Sequence, residues 1–472
     1  MKRGWMNRPV FRFLLLSSAA LVFTQLFPGT TGAAEPAPLQ QMIDQARPGD
    51  TVAIPEGQYS GPIRVTKPLA LVAEGTVIIA SPSPEPGRAP VVTIASDHVT
   101  MQGILISDRR VNSADAALVV TGSYNVLEKI GIATWGTGIQ LREAENNTLH
   151  NIRVIGQVKD GNAAGDSGHN HNHGAATSVQ PVSPVQIRKG NGIDLFHSHH
   201  NRIVSNQVEN VNDGIYLENS NGNQILQNTV QQSRYGFHFM GTLDTLLADN
   251  TGSENVTGAM LMETSRATVQ NNQFFKQKNN PNSQGILVYD VTDSQLHGNW
   301  IEGNRVGLYL ENSSGVDVRN NRLLLNFIGM QVKAASGNTL TANQFVSNVI
   351  QAQAQDSNTE SFAGNYWDNL QTLDIDGDKR GDLPFEMNPF YLVLTDAVPA
   401  YQLFFQAPGF VFLENLFVSG TGTSIRDDMP LLASPADTAS AQASGRSWAA
   451  GIIGALLLAG SIYMMYTGGK RQ

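Results

Sequence analysis

A glycine that returns every 22 residues constrains this chain more than any other feature. Gly-aliphatic-x-aliphatic appears as GIQL at Gly138, GIDL at Gly192, GIYL at Gly214 and GFHF at Gly236, then as GAML at Gly258, GILV at Gly285, GLYL at Gly307 and GMQV at Gly329. From Gly192 the steps are 22, 22, 22, 27, 22 and 22, the 27 being one period plus a five-residue insertion near KQKNNP. The step from Gly138 to Gly192 is 54, one period plus a 32-residue insertion. A second column keeps the same register: 14 residues after the last seven glycines stand Asn206, Asn228, Asn250, Asn272, Asn299, Asn321 and Asn343, and one more period reaches Asn365. Apolar residues spaced by two, with Gly and Asn interrupting every few positions, exclude an amphipathic helical repeat. A coil of this length built from short alternating strands is the pattern of an all-β fold, a right-handed parallel β-helix.

One coil cannot bury its own apolar face, but stacked coils about 4.8 Å apart can. The period then piles Ile193, Ile215, Phe237 and Ile286 inside, with Leu195, Leu217, Phe239 and Val288 beside them. The asparagines should occupy the bends, where Asn tolerates left-handed backbone and its amide can bond from coil to coil. IRVTKPLALVAEGTVII and VVTIASDHVTMQGILIS read as earlier, less regular coils, and LQQMIDQA (residues 39–46) as a capping helix over the open first edge. Roughly 13 coils would make a rod of about 60 Å.

The ends of the chain bear on its location. Residues 1–34 read as a signal peptide: Lys2, Arg3, Arg8 and Arg12, an apolar run over 13–27, then the small residues TGAA. The repeat domain spans 35–395, interrupted by a histidine-bearing loop at 157–190; an extension and linker fill 396–447. The uncharged 20-residue run WAAGIIGALLLAGSIYMMYT (448–467) is long enough to cross a bilayer once. Lys470 and Arg471 after it favour a cytoplasmic tail, which leaves the body outside, anchored to the inner membrane. A leader holding four of the 31 basic residues and none of the 40 acidic ones moves the net charge from −9 to −13 once removed. That balance argues against nucleic-acid binding. With no cysteine, disulfides and thiolate chemistry are excluded, and soft-metal chemistry falls to His and Met.

Strand alternation points the second and fourth residues after each glycine outward. One outward column runs Asp194, Tyr216, His238, Met260, Leu287, Tyr309, Gln331; the next runs Phe196, Glu218, Met240, Met262, Tyr289, Glu311, Lys333. His238, Met240, Met260 and Met262 thus share one patch, and imidazole with thioethers selects copper(I). The same methionines could instead pack a surface groove or an adaptable partner face. His169, His171 and His173 lie in the insertion, and His197, His199 and His200 on the coil after it, a set able to bind a divalent metal without naming one. DIDGDKRGD places Asp374, Asp376, Asp378 and Asp382 at spacings suited to calcium, though Gly377 and the missing Glu depart from an EF-hand.

No nucleophile elbow, phosphate loop or HExxH motif occurs, so no catalytic residue or enzyme activity is assigned. A carbohydrate-binding or polysaccharide-degrading β-helix is the competing class, with Asp194 and Glu218 as carboxylates and Tyr216, Tyr289 and Tyr309 as stacking rings. Against it, neither carboxylate has a basic partner in the repeat columns. The stretch ARPGDTVAIPEGQYSGPIRVTKPLALVAEG, the GIYLENSNGNQILQNTV coils and the closing GNYWDNLQTLDIDGDKRGDLPF together resemble the NosD family over roughly residues 38–395. The resemblance implies a periplasmic scaffold or copper relay for assembly of the copper–sulfur centre of nitrous oxide reductase. It also implies partners: an ABC-type ATPase, its membrane permease subunit, a copper-delivering lipoprotein and the apo reductase.

Overall fold

The computed structural model describes residues 39–86, 89–158, 188–277, 283–357, 361–386 and 425–434. The predicted leader, His169, His171, His173 and the apolar run at 448–467 lie outside the described residues. Among the described residues no helix is long and apolar enough to cross a membrane.

The chain winds into a parallel β-solenoid with three faces. On one face 12 strands stack in order, from Ile63–Val65 to Ile350–Gln355, each paired in parallel with the strand one coil away. The other two faces run as columns of three-residue strands, joined near the N-terminus by the long strands Thr51–Ser60, Ala70–Ala80 and Thr100–Asp108. The inward columns are those the period predicts: Ile215 pairs with Phe237 and Leu217 with Phe239, and all four are at most 1 % exposed.

The glycine column has a steric cause. A Cβ built on Gly138, Gly192, Gly214, Gly236, Gly258, Gly285, Gly307 or Gly329 would lie 2.4–2.6 Å from the carbonyl oxygen of the residue one coil on. Only glycine lets successive coils approach so closely there.

The asparagine column forms a continuous ladder. Each Oδ1 accepts the backbone N–H of the equivalent residue one coil earlier, at 2.8–3.0 Å from Asn206 to Asn365. Each Nδ2 reaches the next Oδ1 as well, at 2.9–3.1 Å. The left-handed conformation expected of these asparagines belongs to the residues just before them. Ser205, Gln227, Asp249, Asn271, Gly298, Asn320, Ala342 and Gly364 have φ between 53° and 67°. The amide is used for the ladder, and its neighbour makes the bend.

Both ends are covered. The helix Leu39–Gln45 buries Leu39 and Ile43, and its Gln40 amide pairs with the strand Ile63–Val65 as a neighbouring strand would, accepting from Arg64 N at 2.8 Å and donating to Arg64 O at 3.0 Å. At the far end, part of the predicted linker belongs to the solenoid: Arg426–Asp427 form a strand that pairs with Phe385–Glu386 and places Asp427 opposite Phe362. Asp427 is fully buried and ends the ladder, its Oδ2 accepting Asn365 N at 2.8 Å, Asn365 Nδ2 at 3.1 Å and Trp367 Nε1 at 3.1 Å. Trp367 is stacked between Phe345 and Phe385, with ring centroids 4.1 and 4.2 Å apart.

Candidate metal centre

The 12-strand face carries the predicted patch on two adjacent strands, Tyr235–Met240 and Thr257–Met262. In the observed register His238 is paired with Met260 and Met240 with Met262. Both outward columns follow without a slip, with Tyr216 before His238 and Leu287 after Met260, Glu218 before Met240 and Tyr289 after Met262. Outward here does not mean exposed. His238 and Met260 are only 7 % and 6 % exposed, whereas Met240 and Met262 are half-buried.

The cover over His238 comes from Tyr216, its neighbour in the outward column, and from Tyr235, which lies outside both columns. The Tyr216 ring lies 4.8 Å from the imidazole and the Tyr235 ring 4.9 Å, the latter edge-on. Beneath them Asp213 Oδ2 is 2.8 Å from His238 Nδ1. Arg234 holds the same carboxylate with two hydrogen bonds, Nε to Oδ1 and Nη2 to Oδ2, each 2.9 Å. Burial alone would raise the Asp213 carboxyl; the His238 hydrogen bond, with the Arg234 guanidinium beside it, outweighs this and holds it below the usual carboxylate range. On the other side of the ring, His238 Nε2 is buried with no hydrogen-bond partner. A buried nitrogen without a partner, on a strand beside a paired thioether, suits a soft metal ion.

The thioethers have a polar neighbour. Tyr216 donates its hydroxyl to Glu218 Oε2 at 3.0 Å and lies 3.6 Å from Met240 Sδ. The same Tyr–Glu arrangement returns at Tyr309 and Glu311, at 2.9 Å. Burial, with each glutamate's hydrogen bond and charge, pushes both phenols above their ordinary range.

The other sequence candidates are placed differently. His197, His199 and His200 sit in one turn of their coil, but their ligand atoms do not gather as a group. Among the described residues, three His, Asp or Glu ligand atoms come within 4.8 Å of one another only at Asp374, Asp376 and Asp382. His199 Nδ1 accepts the Asn221 backbone N–H at 3.0 Å, while His197 and His200 have left-handed backbone and are exposed. Asp378 stays outside the aspartate group, its carboxylate accepting Arg380 N at 2.8 Å. Asp374 likewise accepts Gly377 N at 2.7 Å, so these carboxylates shape their own turn. Asp194 does have a basic partner, Arg142 Nη1 at 2.7 Å, from the coil before it. The repeat spacing hides this pair, because the 32-residue insertion separates Arg142 from Asp194.

Residues 169–375 match the profile of NosD, described as a periplasmic copper-binding protein. The chain is NosD-like, as its coils and closing motif suggested. No curated protein matches the chain. Among solved structures it is similar to the A-module of the mannuronan C-5 epimerase AlgE6 of Azotobacter vinelandii, at 14 % identity and a TM-score of 0.52, covering 68 % of this chain and 92 % of that one. It is also similar to a family 28 exopolygalacturonase of Yersinia enterocolitica, at 12 % identity and a TM-score of 0.48, covering 68 % of this chain and 74 % of that one. The first likeness establishes the fold as a right-handed parallel β-solenoid and says nothing of chemistry.

Proposed function

We propose that this NosD-like chain is a periplasmic copper(I) relay that supports assembly of the copper–sulfur centre of nitrous oxide reductase, the enzyme its family serves. The observation that carries the reading is the pairing of His238 with Met260 and of Met240 with Met262, with Nε2 of His238 left unpartnered. Copper(I) is cargo here, taken up and released. One imidazole and three neutral thioethers suit that task, because they bind a soft ion without fixing it as thiolates would. The chain turns over no substrate of its own in this scheme. It works with an ABC-type ATPase and its permease subunit, receives copper from a lipoprotein, and delivers it to the apo reductase. The apolar run at 448–467 tethers it to the inner membrane, with the rod outside.

The polysaccharide reading draws less support. Asp194 is paired with Arg142, and Glu218 accepts the Tyr216 hydroxyl, so neither outward carboxylate stands ready as an acid–base partner. The copper reading is tested by replacing His238, Met240, Met260 and Met262 together with Ala in the full chain. Copper(I) binding, measured by competition with a chromogenic chelator, should fall by one equivalent; an unchanged stoichiometry removes the patch from consideration.

A further inference from the structure

The surroundings of His238 specify which nitrogen faces a metal. Arg234 donates to both oxygens of Asp213, and one of those oxygens also lies 2.8 Å from His238 Nδ1. A carboxylate gripped at both oxygens by a guanidinium fork is an acceptor toward the imidazole, so the proton between them belongs to Nδ1. Nε2 is then either a lone pair or a second N–H. A second N–H would be a buried donor with nothing to receive it, because Nε2 has no hydrogen-bond partner. The rings of Tyr216 and Tyr235, 4.8 and 4.9 Å away, wall the imidazole and oppose a flip that would exchange the two nitrogens. Asp213 and Arg234 are themselves anchored by the repeat, one at the head of the strand Asp213–Glu218 and the other just before the strand Tyr235–Met240.

We infer that Asp213, clamped by Arg234, is a positioning residue that fixes His238 in its Nδ1–H form and presents the Nε2 lone pair as the nitrogen donor of the soft-metal patch. The ligand role rests on the copper reading given above; the fixed tautomer stands on the metal-free geometry alone. A carboxylate behind a metal-binding imidazole sets the ring's orientation and raises its basicity, and its loss lowers metal affinity about 10- to 100-fold.

The test has two arms. In the first, the full metal-free chain is labelled with 15N-histidine, and the ring nitrogens of His238 are identified by the signals that vanish in His238→Gln. Long-range 1H–15N correlation should show a protonated Nδ1 and an unprotonated Nε2 at neutral pH; the opposite tautomer, an imidazolium or a mixture overturns the inference. This arm needs no variant at Asp213 to fold. In the second, Asp213→Ala is titrated with copper(I) against bicinchoninate. Affinity should fall about 10- to 100-fold with His238 now a mixture of tautomers; affinity equal to that of the unaltered chain overturns the positioning role. If the unaltered chain takes no copper(I) at the patch while showing the Nδ1–H form, the copper reading fails and the ligand role with it, which is distinct from a failure of the tautomer.

Discussion

Asn250 is the place to test whether the buried amide ladder holds the coils together. Its Oδ1 accepts Asn228 N at 2.8 Å and Asn228 Nδ2 at 3.0 Å. Its Nδ2 donates to Ile225 O at 2.8 Å, Ala248 O at 2.9 Å and Asn272 Oδ1 at 3.0 Å. Asn250→Ala deletes all five. Asn228 Nδ2 keeps a second acceptor in Ile203 O at 2.9 Å, so the severe loss is the Asn228 backbone N–H. An orphaned buried donor costs about 1–3 kcal/mol, and each neutral hydrogen bond contributes about 1 kcal/mol net. The two Nδ2 hydrogens, shared among three acceptors, contribute about 2 kcal/mol between them, so with the orphaned N–H the variant should lose about 3–5 kcal/mol, a large share of the roughly 5–15 kcal/mol typical of a folded domain. Because each coil touches only its neighbours, the damage should concentrate at the joint between the coils of Asn228 and Asn250. Urea unfolding measures the total, and amide exchange read by mass spectrometry locates it: peptides around Asn228 should exchange faster and those around Asn343 should not. Gln273→Ala, at an exposed position, is the control, expected to stay within about 0.5 kcal/mol of the unaltered chain. A loss at Asn250 below about 1 kcal/mol, or faster exchange spread evenly along the rod, would refute the ladder as a structural device.

Two further outcomes follow from other features. Gly307→Ala would place a Cβ 2.4 Å from the Gly329 carbonyl oxygen, so it should cost about 1–3 kcal/mol in urea unfolding while leaving copper(I) uptake two coils away unchanged; a neutral effect would mean that the coils can separate there. Tyr309 has its phenol ionisation raised by burial and by Glu311. In the unfolded chain that proton leaves near pH 10, so the stability this residue contributes is present below about pH 10 and is lost as pH rises above it. Tyr309→Phe should show a shallower fall in urea midpoint between about pH 10 and pH 11.5, reduced but not abolished because Tyr216 behaves alike; an unchanged slope would contradict the assignment.

The solenoid and its register were legible because the glycine and asparagine columns each answer to one physical demand repeated at every coil: a close carbonyl for glycine, a buried amide bond for asparagine. The pairing of His238 with Met260 followed from the same alternation. The burial of that histidine did not. It arises from Tyr216 and Tyr235 leaning across from two different coils, and alternation says which way a side chain sets out but not where a large ring comes to rest. Asp213 left a faint trace, a charge directly before Gly214 where the other coils carry uncharged residues before the glycine; Arg234, two before Gly236, left none, because Arg305 stands at the same place before Gly307. The bond from Asn365 to Asp427 left none, because 61 residues stand between its partners and no period connects them.

That last bond has a directional consequence. An amide both gives and receives a hydrogen bond, so an asparagine can be followed by another asparagine without limit. A carboxylate only receives. With Asp427 in the final place, the series meets a group that has nothing to pass onward, and a second rod arriving at that end finds no donor in line with the ladder. The run of side-chain bonds thus stops at this end through one change of side-chain chemistry, and the residue that stops it comes from a stretch that follows the last coil in the chain.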